Sequence, residues 1–289
     1  MTAPVDFLVI GAMKCATSSL AEQLNGQPGI FVTDPKEPCF FSDDPVYARG
    51  LDWYRDLFSA AAVGDLRGEA STHYTKLPTY PDTVARIQEH APDVRLVYVM
   101  RHPVDRLVSH YIHAWTMNEV RAPIDDAVDG DLGLVDYGRY AMQLQPFLAA
   151  FGRARVLPVF YDRLTAAPDD ELRRVCAFLG YRGEPRWRED AGRQNVSADR
   201  MRQNPLRDAL VYAPGISQVR KLLPQGLRDR VKRMWQMRKR PELSPARRRA
   251  LEAVFDRDLA ELGDLLGVPL TCANFKQQAA ARAYEWRDA

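Results

Sequence analysis

The sequence has few cysteines, and none of them lies close to another. The four cysteines among its 289 residues are Cys15, Cys39, Cys176 and Cys272, and no two form a Cys-x-x-Cys pair. This spacing gives no sign of a structural zinc site or of a disulfide framework. We therefore expect reduced thiols, no bound metal and a cytoplasmic location.

The sequence also lacks long apolar runs, internal repeats and low-complexity tracts. No run approaches the roughly 18 apolar residues that a membrane-spanning helix needs, and the first residues lack the basic segment of a secretory signal. We find no recognisable nucleic-acid-binding module, so no nucleic-acid partner is expected. A hydrophobic content of 46% and a charged content of 27% are ordinary for a globular protein.

Apolar runs typical of buried strands alternate with helical patterns. The predicted strands lie at 5–12, 30–33, 66–71, 94–100 and from 155, and the predicted helices at 17–25, 80–92, 103–115, 137–152 and 168–180. This alternation predicts an α/β fold, with a central parallel sheet flanked by helices in three layers. We expect one domain over 1–289, with a core at about 5–180, a basic helical segment at about 200–249 and a C-terminal helix at about 244–267.

A loop after the first predicted strand has the features of an anion site. It reads Gly11-Ala12-Met13-Lys14-Cys15-Ala16-Thr17-Ser18-Ser19 and leads into a helix. Unpaired amides at a helix N-terminus, three hydroxyls and a lysine all favour a bound anion. The lysine comes too early for the Gly-Lys-Ser/Thr loop of an ATPase. A simple helix cap beside a surface lysine would also fit the pattern.

A second motif follows the fourth predicted strand, in LVYVMRHPVDRLVSHY at 96–111. Arg101 leaves the strand, and Ser109 lies two turns into the next helix. Arginine can bind a phosphate group through two hydrogen bonds, and a serine hydroxyl can add a third. The alternative is an arginine that forms a salt bridge to a loop.

The two motifs together, at this spacing, resemble the sulfotransferases that use 3'-phosphoadenosine-5'-phosphosulfate (PAPS). The linking segments KEPCFF (36–41), GLDWY (50–54), GEASTHY (68–74), YDRL (161–164) and FLG (178–180) resemble the carbohydrate branch of that family. The resemblance covers about residues 5–180 and implies a P-loop-like fold. It also implies a sulfuryl donor site that needs no metal and that releases 3'-phosphoadenosine-5'-phosphate (PAP).

The resemblance implies roles for individual residues. Residues 14–19 (Lys14, Cys15, Ala16, Thr17, Ser18, Ser19) would hold the 5'-phosphosulfate, with Cys15 acting only through its backbone N–H, and Arg101 and Ser109 would hold the 3'-phosphate. Lys14 would stabilise the leaving group, because sulfuryl transfer builds charge on the bridging oxygen. Glu69 would be the base that takes the acceptor proton, provided that the site raises its pKa or positions it closely.

Three further residues are candidates for the acceptor side. Lys36 and Glu37 lie in DPKEPCFF, although a solvated charge pair in a turn between two prolines would look the same. His73 is the second candidate for the base. The alternative is that this histidine has only a structural role. Two positions depart from the family pattern: Ala16 replaces a usual glycine, and His102 replaces an aspartate. Alanine fits at position 16 only where the backbone does not require glycine.

The basic charge is concentrated in one segment. Residues 200–249 contain 15 Lys and Arg but only 3 Asp and Glu. The rest of the chain contains 25 Lys and Arg and 35 Asp and Glu, so it is acidic. The segment could be a solvated helical face, a wall that binds PAPS or an anionic acceptor, or a surface that meets an anionic membrane. Asn195, Ser197 and Arg200 lie just before it, where the family closes over the nucleotide.

The sequence thus predicts an in-line sulfotransferase whose acceptor is a hydroxyl on a sugar, a glycolipid or a secondary metabolite. Two alternatives remain open. A Mg²⁺-dependent nucleotide kinase would need the late Gly-Lys-Ser/Thr loop that is missing here. A non-catalytic module could keep the nucleotide cleft and use the basic segment to bind an anionic polymer.

Overall fold

The computed structural model describes residues 4–189 and 239–287. The predictions for residues 190–238, which include Asn195, Ser197, Arg200 and most of the basic segment, lie outside the described residues. The described part is built on a parallel five-stranded sheet with the order β2-β3-β1-β4-β5. The strands are β1 (Phe7–Gly11), β2 (Ile30–Val32), β3 (Leu66–Ala70), β4 (Arg95–Met100) and β5 (Val156–Phe160).

Two of the three inner strands, β1 and β4, are apolar and buried because helices cover both faces of the sheet. All five residues of β1 are buried, as are the last five of β4. In the register of the sheet, Leu8 of β1 pairs with Glu69 of β3 and with Leu96 of β4. The loops after β1, β3 and β4 therefore leave the same edge of the sheet side by side.

Eleven α-helices surround the sheet in the described residues. They are α1 (Thr17–Asn25), α2 (Asp44–Tyr47), α3 (Gly50–Asp56), α4 (Thr83–His90), α5 (Pro103–Thr116), α6 (Ile124–Ala127), α7 (Tyr140–Phe151), α8 (Tyr161–Ala166), α9 (Pro168–Phe178), α10 (Pro245–Leu266) and α11 (Phe275–Ala281). Each longer helix begins or ends where the sequence predicts. Proline opens α5 and α9, and Gly267 ends α10 in the left-handed conformation.

The predicted fold class is confirmed, and the differences are local. Residues 34–58, where no helix or strand is predicted, contain the short helices α2 and α3. Their aromatic residues pack on the core, with Phe40 stacked on Tyr54 at a ring-centroid distance of 4.6 Å. The helices α6, α8 and α11 also lie outside the predicted helices, because their short apolar patterns show too little periodicity.

A buried carboxylate on the C-terminal helix α10 contacts the start of α7. Asp258 accepts hydrogen bonds from the backbone N–H groups of Ala141 and Met142, both at 3.0 Å. These amides open α7, where they have no partner within the helix. The residue thus caps a helix that is more than a hundred positions away in sequence.

None of the helices in the described part of the chain combines the length and apolar character that crossing a bilayer requires.

Candidate functional site

The loop after β1 presents the N-terminus of α1 to a cleft. The first hydrogen bond within this helix runs from the Leu20 N–H to the Ala16 carbonyl, at 3.1 Å. Ala16 is the N-cap residue and offers no side-chain acceptor. The amides of residues 17–19 therefore have no partner within the helix and are available to an anion. The side chains of Lys14, Thr17, Ser18 and Ser19 line the cleft.

The backbone at Ala16 has a conformation that favours glycine. Its φ of 69° and ψ of 23° lie in the left-handed region, where a side chain costs about 1–2 kcal/mol relative to the right-handed region. Lys14 also has a positive φ, of 70°. Glycine would fit position 16 without strain, so the alanine is accommodated at an energetic cost.

Cys15 differs from the other loop residues in where its amide points. The Cys15 N–H donates to the Ala12 carbonyl at 3.2 Å, so in this conformation it is used within the loop and not offered to a ligand. Its side chain is buried beside the Tyr140 hydroxyl, and burial raises the pKa of this thiol to about 11. The predicted contact between the Cys15 amide and an anion therefore does not follow from this geometry.

Arg101 and Ser109 line the same cleft as the loop. Arg101 follows β4, and its guanidinium carbon lies 4.8 Å from the ring centroid of Tyr161, which holds the side chain over an aromatic face. Its Nη1 also donates to the Lys14 carbonyl at 3.5 Å. The two motifs that the sequence separates by more than 80 residues thus meet at the carboxyl edge of the sheet.

The cleft is large enough for a nucleotide together with part of a second molecule. Its volume is about 980 Å³, and cavities that hold drug-sized ligands have volumes of about 300–1,000 Å³. The residues that line the cleft include cationic and hydroxyl side chains, and also Glu37, Thr72, His73 and Lys76.

Glu69 lies behind the cleft wall and not in it. Its side chain is fully buried, and it is not among the residues that line the cleft. Neither carboxylate oxygen makes a hydrogen bond of good geometry, although the Tyr74 hydroxyl lies close enough to lower its pKa. Burial outweighs this effect and, with the nearby Glu37 charge, raises the pKa of Glu69 to about 8. The raised pKa meets one expectation for a base, whereas access to an acceptor is missing.

Glu37 is the carboxylate that the cleft does expose. About a third of its side chain, 35%, is open to solvent. Its Oε1 lies 2.7 Å from the Lys36 Nζ, and its Oε2 accepts a hydrogen bond from the Thr72 hydroxyl at 3.3 Å. Burial acts to raise the pKa of Glu37, but Lys36, Lys76 and His73 together lower it. The carboxylate is therefore ionised at neutral pH.

His73 also faces the cleft, and a neighbouring carboxylate fixes its ring. The His73 Nδ1 lies 3.0 Å from Asp43 Oδ2, and the ring stacks on Tyr80 at a centroid distance of 4.9 Å. A proton on Nδ1 satisfies this contact, which leaves Nε2 with its lone pair. Lys36, in contrast, does not line the cleft and acts there only through Glu37.

A segment that was not predicted from the sequence closes one side of the cleft. Gln23 lies on α1 and Gln27 lies just beyond its C-terminal end, and each is buried. The Gln23 amide exchanges two 2.8 Å hydrogen bonds with the backbone of Arg188, and the Gln27 amide exchanges two 3.0 Å bonds with that of Arg186. The pairs hold Trp187 at the cleft wall. Two polar residues at and just beyond the end of an otherwise apolar helix pattern were the signal in the sequence.

A second group found only in the structure surrounds His110. This side chain lines the cleft, stacks on Tyr137 at 5.8 Å and lies 3.4 Å from the Arg106 guanidinium. Burial, together with the charges of Arg106 and Lys76, lowers the pKa of His110 to about 2. The folded protein therefore keeps this histidine neutral.

The neutral His110 makes the stability of the protein depend on pH. Below pH about 6.5 the unfolded chain binds a proton at this residue that the folded chain does not bind, so stability falls as the pH falls. At pH 5 the loss is about 2 kcal/mol of unfolding free energy. Because the raised pKa of Glu69 changes stability in the opposite direction in both the wild type and His110→Gln, the test is the difference between the two proteins: on going from pH 7.5 to pH 5, urea unfolding should show the wild type losing about 2 kcal/mol relative to His110→Gln. An equal loss in both proteins would contradict the assignment.

His102, where the family pattern has an aspartate, caps a helix through its ring. His102 Nδ1 accepts a hydrogen bond from the Asp105 N–H at 3.4 Å and so caps α5. Its Nε2 donates to the Cys272 carbonyl at 3.0 Å, and burial lowers its pKa. A neutral histidine therefore replaces a carboxylate as the helix cap and links α5 to the C-terminal segment.

Comparison with known proteins decides the family. The model of the sulfotransferase domain matches residues 4–263 of this chain. The chain belongs to this family. The predicted resemblance is thereby confirmed, and the match favours a sulfotransferase over the nucleotide kinase that the sequence left open.

Curated relatives in the sulfotransferase family include heparan sulfate glucosamine 3-O-sulfotransferases. The chain is 33% identical to the mouse heparan sulfate glucosamine 3-O-sulfotransferase 3B1 over 182 residues, which is 60% of this chain and 45% of that protein. It is 32% identical to the human heparan sulfate glucosamine 3-O-sulfotransferase 6 over 185 residues, or 60% of this chain and 51% of the relative. The chain thus matches about half the length of these relatives.

Two solved sulfotransferases share the fold. A sulfotransferase from Alicyclobacillus acidocaldarius covers 93% of this chain, and the match spans 98% of that protein, at 24% identity and a TM-score of 0.66. The mouse sulfotransferase SULT7A1, solved with PAP, covers 89% of this chain and is matched over 84% of its own length, at 15% identity and a TM-score of 0.50. At these identities the likeness concerns the fold.

Proposed function

We propose that this sulfotransferase family member transfers a sulfuryl group from PAPS to a hydroxyl acceptor and releases PAP. The observation that carries the proposal is that one cleft contains the phosphate loop, the Arg101–Ser109 pair and an ionised carboxylate, Glu37. Family membership over residues 4–263 supports the reaction class.

The residues at the cleft fit the two anionic ends of the donor. The amides of residues 17–19 and the hydroxyls of Thr17, Ser18 and Ser19 would bind the 5'-phosphosulfate. Arg101 and Ser109 would bind the 3'-phosphate, because a guanidinium and a hydroxyl supply several donors to one phosphate group. PAPS supplies an activated sulfuryl group, and the protein residues bind, orient and stabilise charge around it.

Lys14 would stabilise the charge that develops on the bridging oxygen as the S–O bond breaks. Its ammonium belongs to the phosphate loop and lines the cleft, next to the amides of α1. A fixed cation at a site of developing charge lowers the barrier because it needs no reorganisation during the reaction. This role matches the prediction made from the sequence.

We assign the base to Glu37 in preference to Glu69. A base must come within hydrogen-bond reach of the acceptor hydroxyl. Glu37 lines the cleft, whereas Glu69 is fully buried outside it. Glu37 would act through its position, since its pKa is lowered. His73, with Nε2 available and Asp43 behind it, is the second candidate. The buried, largely protonated Glu69 would instead form part of the wall.

The acceptor would be a sugar hydroxyl. The relatives named above are heparan sulfate glucosamine 3-O-sulfotransferases, and a glycolipid or a secondary metabolite would present the same group. The acceptor side of the cleft carries Tyr137, His113 and Lys76, and aromatic faces and polar side chains of this kind suit a sugar ring. Contact of residues 200–249 with an anionic membrane or acceptor, a single domain over 1–289 and a cytoplasmic location stay predictions.

The role of Arg101 provides a test of the donor site. Arg101→Ala should weaken PAP binding by about 10- to 100-fold, as expected for the loss of about 1.5–3 kcal/mol of hydrogen bonding to a charged group. The same substitution should weaken the binding of adenosine 5'-phosphosulfate far less, because this ligand lacks the 3'-phosphate. Calorimetric titration of both ligands makes the comparison.

The control for this test is Arg55→Ala, which removes an exposed arginine on α3 that does not line the cleft. It should bind both ligands as the wild type does. An equal loss for PAP and for adenosine 5'-phosphosulfate in Arg101→Ala would contradict the assignment.

A further inference from the structure

We propose that Glu37, Cys39 and His73 form a binding site for a borderline-soft divalent cation of the Zn²⁺ type at the wall of the cleft. Residue spacing alone does not indicate this site, because its members are separated by up to 36 positions and come from two segments. In the structure one carboxylate oxygen, the Cys39 sulfur and one ring nitrogen all lie within 4.8 Å of one another.

The side-chain types match the ligands that zinc selects. Zinc binds thiolate sulfur, imidazole nitrogen and carboxylate oxygen, and it commonly takes four ligands in a tetrahedron. Three protein ligands would leave the fourth position to water. Calcium and magnesium prefer oxygen ligands alone, so this mixed set discriminates against them.

The neighbouring Asp43 prepares His73 for a metal. Asp43 Oδ2 lies 3.0 Å from the His73 Nδ1. In the tautomer that satisfies this contact the proton is on Nδ1, and Nε2 would be the nitrogen that binds the metal. A carboxylate behind a metal-binding histidine fixes the tautomer and the orientation of the ring. The structure thus contains the supporting contact as well as the three ligands.

The loop that carries the other two ligands holds them in a fixed conformation. Glu37 and Cys39 have φ angles of 61° and 55°, in the left-handed region that non-glycine residues usually avoid. The Cys39 N–H donates to the Ser71 hydroxyl at 3.0 Å, which ties this loop to the segment that contains His73. The two halves of the site are therefore joined before any metal binds.

Metal binding would release a proton from Cys39 and would compete with the Lys36 ammonium for Glu37. As the sulfur–metal bond forms, the Cys39 thiol gives its proton to solvent, because the thiolate is the ligand. The Lys36 ammonium, 2.7 Å from the Glu37 carboxylate, must release that carboxylate to the metal. Lys36→Met should therefore tighten metal binding, whereas replacement of a ligand should weaken it.

Occupancy of the site would remove Glu37 from the acceptor. Zn²⁺ should then inhibit sulfuryl transfer without weakening PAP binding, a consequence that rests on the proposed function. Metal binding itself does not depend on the proposed function, so the metal site and the proposed function can be refuted independently.

The test is a titration of the whole chain with Co²⁺, which reports a thiolate ligand by a sulfur-to-metal charge-transfer absorption band. We expect the band in the wild type and its reversal by EDTA. Cys39→Ser should abolish it, whereas Cys176→Ser, which changes a buried cysteine on α9, should keep it. His73→Asn and Asp43→Asn should each weaken binding by about 10- to 100-fold.

Because Cys39 is buried, circular dichroism must show that Cys39→Ser is folded. His73→Asn tests the same site from a partly exposed position. The absence of a band in the wild type, or an unchanged band in folded Cys39→Ser, would overturn the site. Zn²⁺ binding with undiminished turnover would overturn the proposed occlusion and, with it, the assignment of Glu37 as the base.

Discussion

Glu37→Gln should lower kcat by about 100- to 10,000-fold, the range expected for the loss of a general base. Glutamine has nearly the same shape as glutamate but cannot take the acceptor proton. Glu37 does not belong to the phosphate loop or to the Arg101–Ser109 pair, so the Kd for PAP should stay close to the wild-type value. The turnover assay is PAP release from PAPS with heparan sulfate as the first acceptor, and calorimetry gives the Kd.

Glu69→Gln is the matched comparison, since it makes the same chemical change at the second carboxyl group. The buried Glu69, with its pKa near 8, is largely protonated at pH 7, and glutamine resembles a protonated carboxyl group. We therefore expect this variant to keep most of its turnover. An active Glu37→Gln beside an inactive, folded Glu69→Gln would reverse the assignment and restore the base that the sequence suggested.

Lys14→Met should lower kcat by about 100- to 1,000-fold, the effect of removing one preorganised group that stabilises developing charge. The loss should be larger in kcat than in PAP affinity, because the charge on the bridging oxygen grows during the transfer. Single-turnover measurements with bound PAPS separate the chemical step from binding.

Lys14→Arg keeps a cation at the same position and is the control for this prediction. It should recover part of the rate that Lys14→Met loses, although the planar guanidinium is not equivalent to an ammonium. If Lys14→Met binds PAP poorly but transfers the sulfuryl group at the wild-type rate when saturated, the lysine acts in binding alone.

The fold could be predicted in most of its parts from the sequence because its signals are local. The runs that form β1 and β4 are continuous and apolar, and Pro103 and Pro168 mark the starts of α5 and α9. The helix α11 escaped prediction because its position depends on packing against α8. Local sequence carries no information about such a contact.

The site could be predicted in its donor half but not in its acceptor half. The positions of Lys14, Arg101 and Ser109 follow from strand ends, and the carboxyl ends of parallel strands meet at one edge. Glu69 lies one residue before the end of β3, yet its side chain is fully buried in the interior. Glu37 lies in an irregular loop whose path depends on contacts with Ser71 and Thr72, so the sequence could not indicate which carboxylate the cleft exposes.

The measurement that tests the donor site most directly is a calorimetric titration of the protein with PAP, in EDTA and again with Mg²⁺, with ATP for comparison. We expect tight PAP binding that does not depend on Mg²⁺ and is much stronger than the binding of ATP. A preference for ATP, or PAP binding that requires Mg²⁺, would contradict the account and assign the loop at 11–19 to phosphoryl chemistry.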